Sequence, residues 1–149
     1  MKISTKGRYG LLALVDIAAR AEGGCVTLKS VAQRQGLSEP YLERIIAALK
    51  KAGFVASVRG AAGGYRLNCI PGETSVGDIL HALEGPLYPT ECLGEVVAGC
   101  GHMDCSSCVA RPVWEQMYES ANDILASVSL ERLVRDYQAV EVRRDNLEP

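Results

Sequence analysis

The chain has 149 residues, 48% of them apolar, and a formal net charge of −2. That is enough apolar material for an ordinary core without disulfides, and no run reaches the roughly 18 apolar residues of a membrane span. The small net charge hides an asymmetry: residues 1–70 carry eleven Lys/Arg against four Asp/Glu, or +7, while residues 71–149 carry five against fourteen, or −9. A basic half joined to an acidic half points to a polyanion partner for the first half.

The opening "MKISTKGRYGLLALVDIAAR" places basic residues before an apolar run, as a secretory leader does. Asp16 and Arg20 interrupt the run, however, and no small-residue cleavage site follows. The expectation is a cytoplasmic protein with reduced thiols and no membrane partner. Ser4 or Thr5 can cap a first helix, in which Leu11, Leu14, Val15 and Ala18 share one face. "LKSVAQRQ" gives a second short helix, closed by Gly36. Ser38 caps a third, "EPYLERIIAALKKAG", with Pro40 in its first turn and a Leu42, Ile45, Ile46, Leu49 stripe. Helix, short glycine-containing turn, helix is the helix-turn-helix layout.

Two alternating segments follow, Phe54 to Val58 and Tyr65 to Cys69, joined by the turn-rich "RGAAGG". A hairpin in this position is a wing, and its tip carries Arg59 among glycines that let the backbone approach a groove. Double-stranded DNA is the partner these elements imply. Ser38, Tyr41, Glu43 and Arg44 lie where a recognition helix meets base edges. Glu43 can accept from cytosine N4, and Arg44 can donate to guanine or phosphate. Arg59 fits the narrow, negative minor groove.

"PGETSVGDILHALEG" predicts a fourth helix starting at Thr74 or Ser75. "ARPVWEQMYESANDILASV" predicts a long helix with a stripe of Val113, Met117, Ala121, Ile124 or Leu125, and Val128. Such a stripe needs a second surface, either the chain's own domain or, as expected here, a second copy of the chain, giving a homodimer. "SLERLVRDYQ" reads as a short terminal helix before a polar tail. The expected fold is mainly α: a winged helix-turn-helix domain over residues 1–85, a cysteine-rich loop over 86–108, and a dimerisation helix and tail over 109–149.

The loop "ECLGEVVAGCGHMDCSSC" holds four of six cysteines, Cys92, Cys100, Cys105 and Cys108, in the spacing C-x7-C-x4-C-x2-C. Clustered reduced thiols bind metal or sense redox more often than they form structural bridges. The spacing alone leaves zinc and an iron–sulfur cluster both open. Cys25 and Cys69 lie outside the loop and read as buried structural cysteines. With His81 and His102 the only histidines, and no nucleophile elbow, phosphate loop or zinc-protease motif, no enzyme is indicated.

The segments "MKISTKGRYGLLALVDIA", "LSEPYLERIIAALKKAGFVASVRGAAGGYRL" and "CVARPVWEQM" resemble the IscR-type regulators, bacterial winged-helix transcription factors that include iron–sulfur, nitric-oxide and cysteine-metabolism repressors. The resemblance implies a homodimer with crossed long helices and a cluster, commonly 2Fe–2S, bound by three cysteines ahead of the dimer helix. Carried onto this chain, Cys92 and Cys108 are the first and third ligands, and the middle one is Cys100, with Cys105 as an alternative. Members with a histidine ligand have it where Arg111 stands, and members with an acidic ligand in the first helix have it where Arg8 stands. The fourth ligand is therefore open among Cys105, Asp104 and His102. The resemblance also allows a metal-free regulator of cysteine metabolism acting through a partner enzyme, and the spacing allows a zinc-stapled DNA binder.

Overall fold

The computed structural model describes residues 1–94 and 105–147. Its axis is α1 (Thr5–Ala19), which packs against nearly every other element of the winged domain. Six consecutive residues, Ala13 to Ala18, are buried, so the helix is enclosed over this stretch rather than on one stripe. The predicted face is present, with Leu14, Val15 and Ala18 buried and Leu11 half-buried. Ser4 caps the helix by accepting from the Gly7 amide. The Glu84 carboxylate then accepts from the Ser4 amide at 2.9 and 3.2 Å. It lies where a Gly7 Cβ would be, and Leu83 lies where a Gly10 Cβ would be. Two glycines one turn apart thus let α4 (Val76–Glu84) close onto α1.

The enclosure of α1 includes Asp16, which is 0% exposed. A buried carboxylate is costly unless paired and fully hydrogen-bonded. Here Arg34 donates Nε to Oδ2 at 3.0 Å and a terminal nitrogen to Oδ1 at 2.7 Å, and Gln35 donates to Oδ2 at 2.9 Å. The Tyr137 hydroxyl adds a bond at 3.3 Å. Burial, then the Asp16 charge, pushes the Tyr137 hydroxyl up from its ordinary pKa, so it remains a donor. One side chain therefore ties together α1, α2 (Leu28–Gln35) and α6 (Leu130–Asp145).

The helix-turn-helix consists of α2, a turn with Gly36 in the left-handed region at φ 65°, and α3 (Glu39–Lys51). Leu42, Ile45, Ile46 and Leu49 of α3 are all buried, as their spacing predicts. The wing pairs β1 (Val55–Val58) with β2 (Gly64–Leu67) in antiparallel register, Ser57 opposite Tyr65. An isolated bridge, invisible to the alternation pattern, forms where Val26 and Tyr65 exchange backbone hydrogen bonds at 2.8 Å. Gly64 is required there, because a Cβ would collide with the Val26 carbonyl.

After α4, a turn at Glu91–Leu93 and another at Cys105–Ser107 flank residues outside the described set, and α5 (Arg111–Ser127) follows. The α5 stripe divides. Leu125 and Val128 join Val76, Leu80 and Leu87 in a small second core. Val113, Met117 and Ile124 remain 52%, 46% and 65% exposed, and no residue of α5 is buried. The last helix is longer than "SLERLVRDYQ" predicts. It runs through Asp145 because Gln138 donates to the Ala19 carbonyl and Glu141 pairs with Arg20 at 2.6 Å, contacts that local sequence does not reveal.

Candidate DNA-binding face and cysteine site

Burying the α3 stripe turns the other side of that helix outward. Ser38, Glu43 and Arg44 are exposed on it, and Tyr41 is half-buried at its first turn. Ser38 occupies the N-cap position without making a side-chain cap bond. Tyr41 is held edge-on by Tyr9 of α1, ring centroids 6.2 Å apart at 90°. The Arg8 guanidinium lies 5.9 Å from the Tyr9 ring centre, which adds a cation beside the start of α3. Arg59 is exposed at the wing, next to Gly60 at φ 113°. A Cβ at position 63 would collide with the Val58 and Gly60 carbonyls, so Gly63 shapes the tip. The half-buried Cys25 donates its thiol to the Ala62 carbonyl at 2.9 Å, bracing the wing from behind.

The second cluster of interest gathers at the start of α5. Cys92 lies in the first turn, its sulfur 3.1 Å from Thr90 Oγ1. Cys105 and Cys108 lie in the second, half-buried, and with Ser106, Arg111, Pro112 and Glu115 they line an open cavity of about 460 Å³. Arg111 joins the two turns. It donates to the Cys92 carbonyl at 3.3 Å and to Glu115 Oε1 at 2.8 Å. The Glu115 hydrogen bond, followed by the charges of Glu115, Cys105 and Cys92, raises the Arg111 pKa against the opposing cost of desolvation.

Cys100, His102 and Asp104 lie outside the described residues, and among the described residues no three metal-binding side chains converge. Of the two cysteines read as buried structural ones, both are half-buried instead. Burial pushes the Cys69 thiol up from its ordinary pKa, and Cys25 has the Ala62 contact already noted. His81, read as a packing residue, is exposed on α4. What the sequence did not reveal is Arg111 as a link between cysteine turns, since its partner lies 19 residues earlier.

A helix-turn-helix, a glycine-built wing and a projecting helix with an apolar face define a winged-helix transcription regulator. Residues 3–136 match the Rrf2 family, described as iron-dependent transcriptional regulators. The chain is 41% identical over 133 residues to the regulator CymR of Bacillus subtilis, covering 89% of each protein. It is 37% identical over 149 residues to the regulator IscR of Aliivibrio salmonicida, covering 99% of this chain and 86% of that one. Among solved structures it is similar to T. potens IscR, with a TM-score of 0.74 and 44% identity over 92% of this chain and 88% of that one. The chain belongs to the Rrf2 family of transcription regulators, DNA-binding proteins whose named members here are regulators rather than enzymes. Among the described residues, no helix is long and apolar enough to cross a membrane.

Proposed function

We propose that the protein is a cytoplasmic homodimer that binds near-palindromic operator DNA, and that the occupancy of its cysteine site sets its affinity. Ser38, Tyr41, Glu43 and Arg44 present α3 to the major groove, and Arg59 enters the minor groove. The α5 face of Val113, Met117, Ala121 and Ile124 packs against its twofold copy. The observation that supports the sensing part is that Cys105 and Cys108 line a cavity at the start of α5, the helix that would set the spacing of two wings, where Arg111 also reaches the Cys92 carbonyl.

The Cys105 and Cys108 thiols lining an open cavity suit an iron–sulfur cluster by donor chemistry. Cys92 and Cys108 would hold it, with Cys100 and Cys105 as the further thiol candidates, and a 2Fe–2S centre is the form favoured. Such a group supplies reversible one-electron chemistry and a covalent tie between the turns. The similarity to CymR, named the global cysteine regulator of B. subtilis, favours a second reading: a metal-free regulator of cysteine metabolism acting through a partner enzyme. Zinc in the same thiols is the remaining alternative.

The test is anaerobic purification with iron, sulfide and zinc analysis, followed by titration of one selected DNA duplex with loaded and metal-free protein at fixed salt. Iron with sulfide, lost in Cys92→Ala and Cys108→Ala, together with at least a tenfold affinity difference between forms, is the expected result. Full iron retained in both variants refutes the ligand assignment. Equal affinities on every duplex refute sensing. A colourless, zinc-free protein whose DNA binding responds to a partner enzyme establishes the second reading.

A further inference from the structure

The two ends of α5 are fixed very differently. At its C-terminal end, the Val76 amide donates to the Val128 carbonyl at 2.9 Å, Leu130 to Thr74 at 2.8 Å and Glu131 to Pro71 at 3.0 Å. Leu130 just beyond is fully buried. At the N-terminal end, Arg111 donates to the carbonyl of Cys92 in the preceding cysteine segment, and midway along the helix Tyr118 packs tilted against Tyr88 of that segment with ring centroids 4.9 Å apart.

We infer that Arg111 is a positioning residue for operator recognition, latching the N-terminal end of α5 to the Cys92 turn and thereby setting the angle between the winged domain and the dimer arm. This rests on the reading of α5 as a dimer arm in a DNA-binding homodimer. The geometry supplies the leverage. A helix of 17 residues is about 25 Å long at about 1.5 Å per residue. Pinned at its far end, it moves its tip by about 3.4 Å, the rise of one base pair, on swinging about 8°. The Glu115 hydrogen bond fixes the guanidinium's direction, so a second donor can reach across to the carbonyl. An ion pair serving only the helix surface has no need of that second partner. The carbonyl belongs to one of the cysteines, so anything that repositions the Cys92 turn acts on the latch directly.

The experiment compares wild type, Arg111→Gln and Arg111→Lys on a palindromic duplex selected from a random library. The same duplex with one base pair added or removed at the dyad, and its isolated half-site, complete the set at one salt concentration. Sedimentation and thermal melting are recorded for each protein. The wild type is expected to discriminate against altered spacing by about tenfold or more. Arg111→Gln should reduce that discrimination several-fold with unchanged half-site affinity, dimer mass and melting temperature, and Arg111→Lys should restore part of it. An unchanged spacing profile in Arg111→Gln overturns the inference. So does a uniform loss on all duplexes, which would mark a charge contact with DNA. If the wild type binds the palindrome no better than the half-site, the dimeric-operator reading itself fails and takes the latch with it.

Discussion

Replacing Asp16 with alanine tests how the helix-turn-helix is mounted on the rest of the protein. The substitution deletes the acceptor for three Arg34 bonds, one Gln35 bond and one Tyr137 bond, and the carboxylate that pairs with Arg20 at 3.5 Å. Stranding a fully buried charge costs roughly 3–5 kcal/mol. The Arg34 side chain is 29% exposed and can rehydrate, so the expected loss is lower, about 2–3 kcal/mol. For a chain of this size that lowers the melting temperature by roughly 4–12 °C. The assay is denaturant unfolding at one fixed protomer concentration, so that the proposed dimerisation would contribute equally to each protein's apparent stability. Asp16→Asn retains an acceptor and should cost less. In a double-mutant cycle with Arg34→Ala, a coupling of about 1–2 kcal/mol is expected. A loss below about 1 kcal/mol, or strict additivity, would show that the carboxylate is not the link between α1 and α2.

Arg59→Ala should weaken binding to the selected duplex by on the order of 1–3 kcal/mol. An equal loss on random DNA would reduce Arg59 to a phosphate contact, and no loss would remove the wing from the interface. Met117→Asp places a charge in the exposed α5 stripe and should yield a monomer by sedimentation with the winged domain still folded; a persisting dimer refutes the proposed seam. Ser75 holds the Asp78 carboxylate below its usual pKa through side-chain and backbone hydrogen bonds in a capping box. A depressed carboxylate contributes stability above its unfolded pKa and loses it as pH falls through the folded value. Asp78→Asn should therefore flatten the acid limb of the pH–stability profile, and an identical limb in both proteins would contradict this.

What the sequence reveals and what it conceals divide by distance along the chain. The α3 stripe and the wing are local patterns, and both stand in the structure. Asp16 reads locally as an interruption of an apolar helix. Its burial depends on Arg34 and Gln35, 18 and 19 residues away, and on Tyr137, 121 away. The length of α6 depends similarly on Arg20 and Ala19. Apolar spacing marks Val113 to Val128 as one stripe, yet the pattern cannot say that Leu125 and Val128 turn inward while Met117 and Ile124 do not. At the cysteines, residue types leave cluster, zinc and metal-free readings open, and the Arg111 contact to the Cys92 carbonyl needed the fold.

The backbone pairing between Ser75 and Ser129 has a consequence for how such a protein can change. Between these paired residues the chain runs through α4, the four clustered cysteines and α5, a closed segment of about fifty residues. For loops of that size closure entropy grows only logarithmically, so inserting about ten residues between Gly94 and Cys105 adds only about 0.2 kcal/mol. Cysteine spacing is thus nearly free to drift in thermodynamic terms. A lineage can alter what the loop binds, or abandon binding there, without disturbing the parts that read DNA.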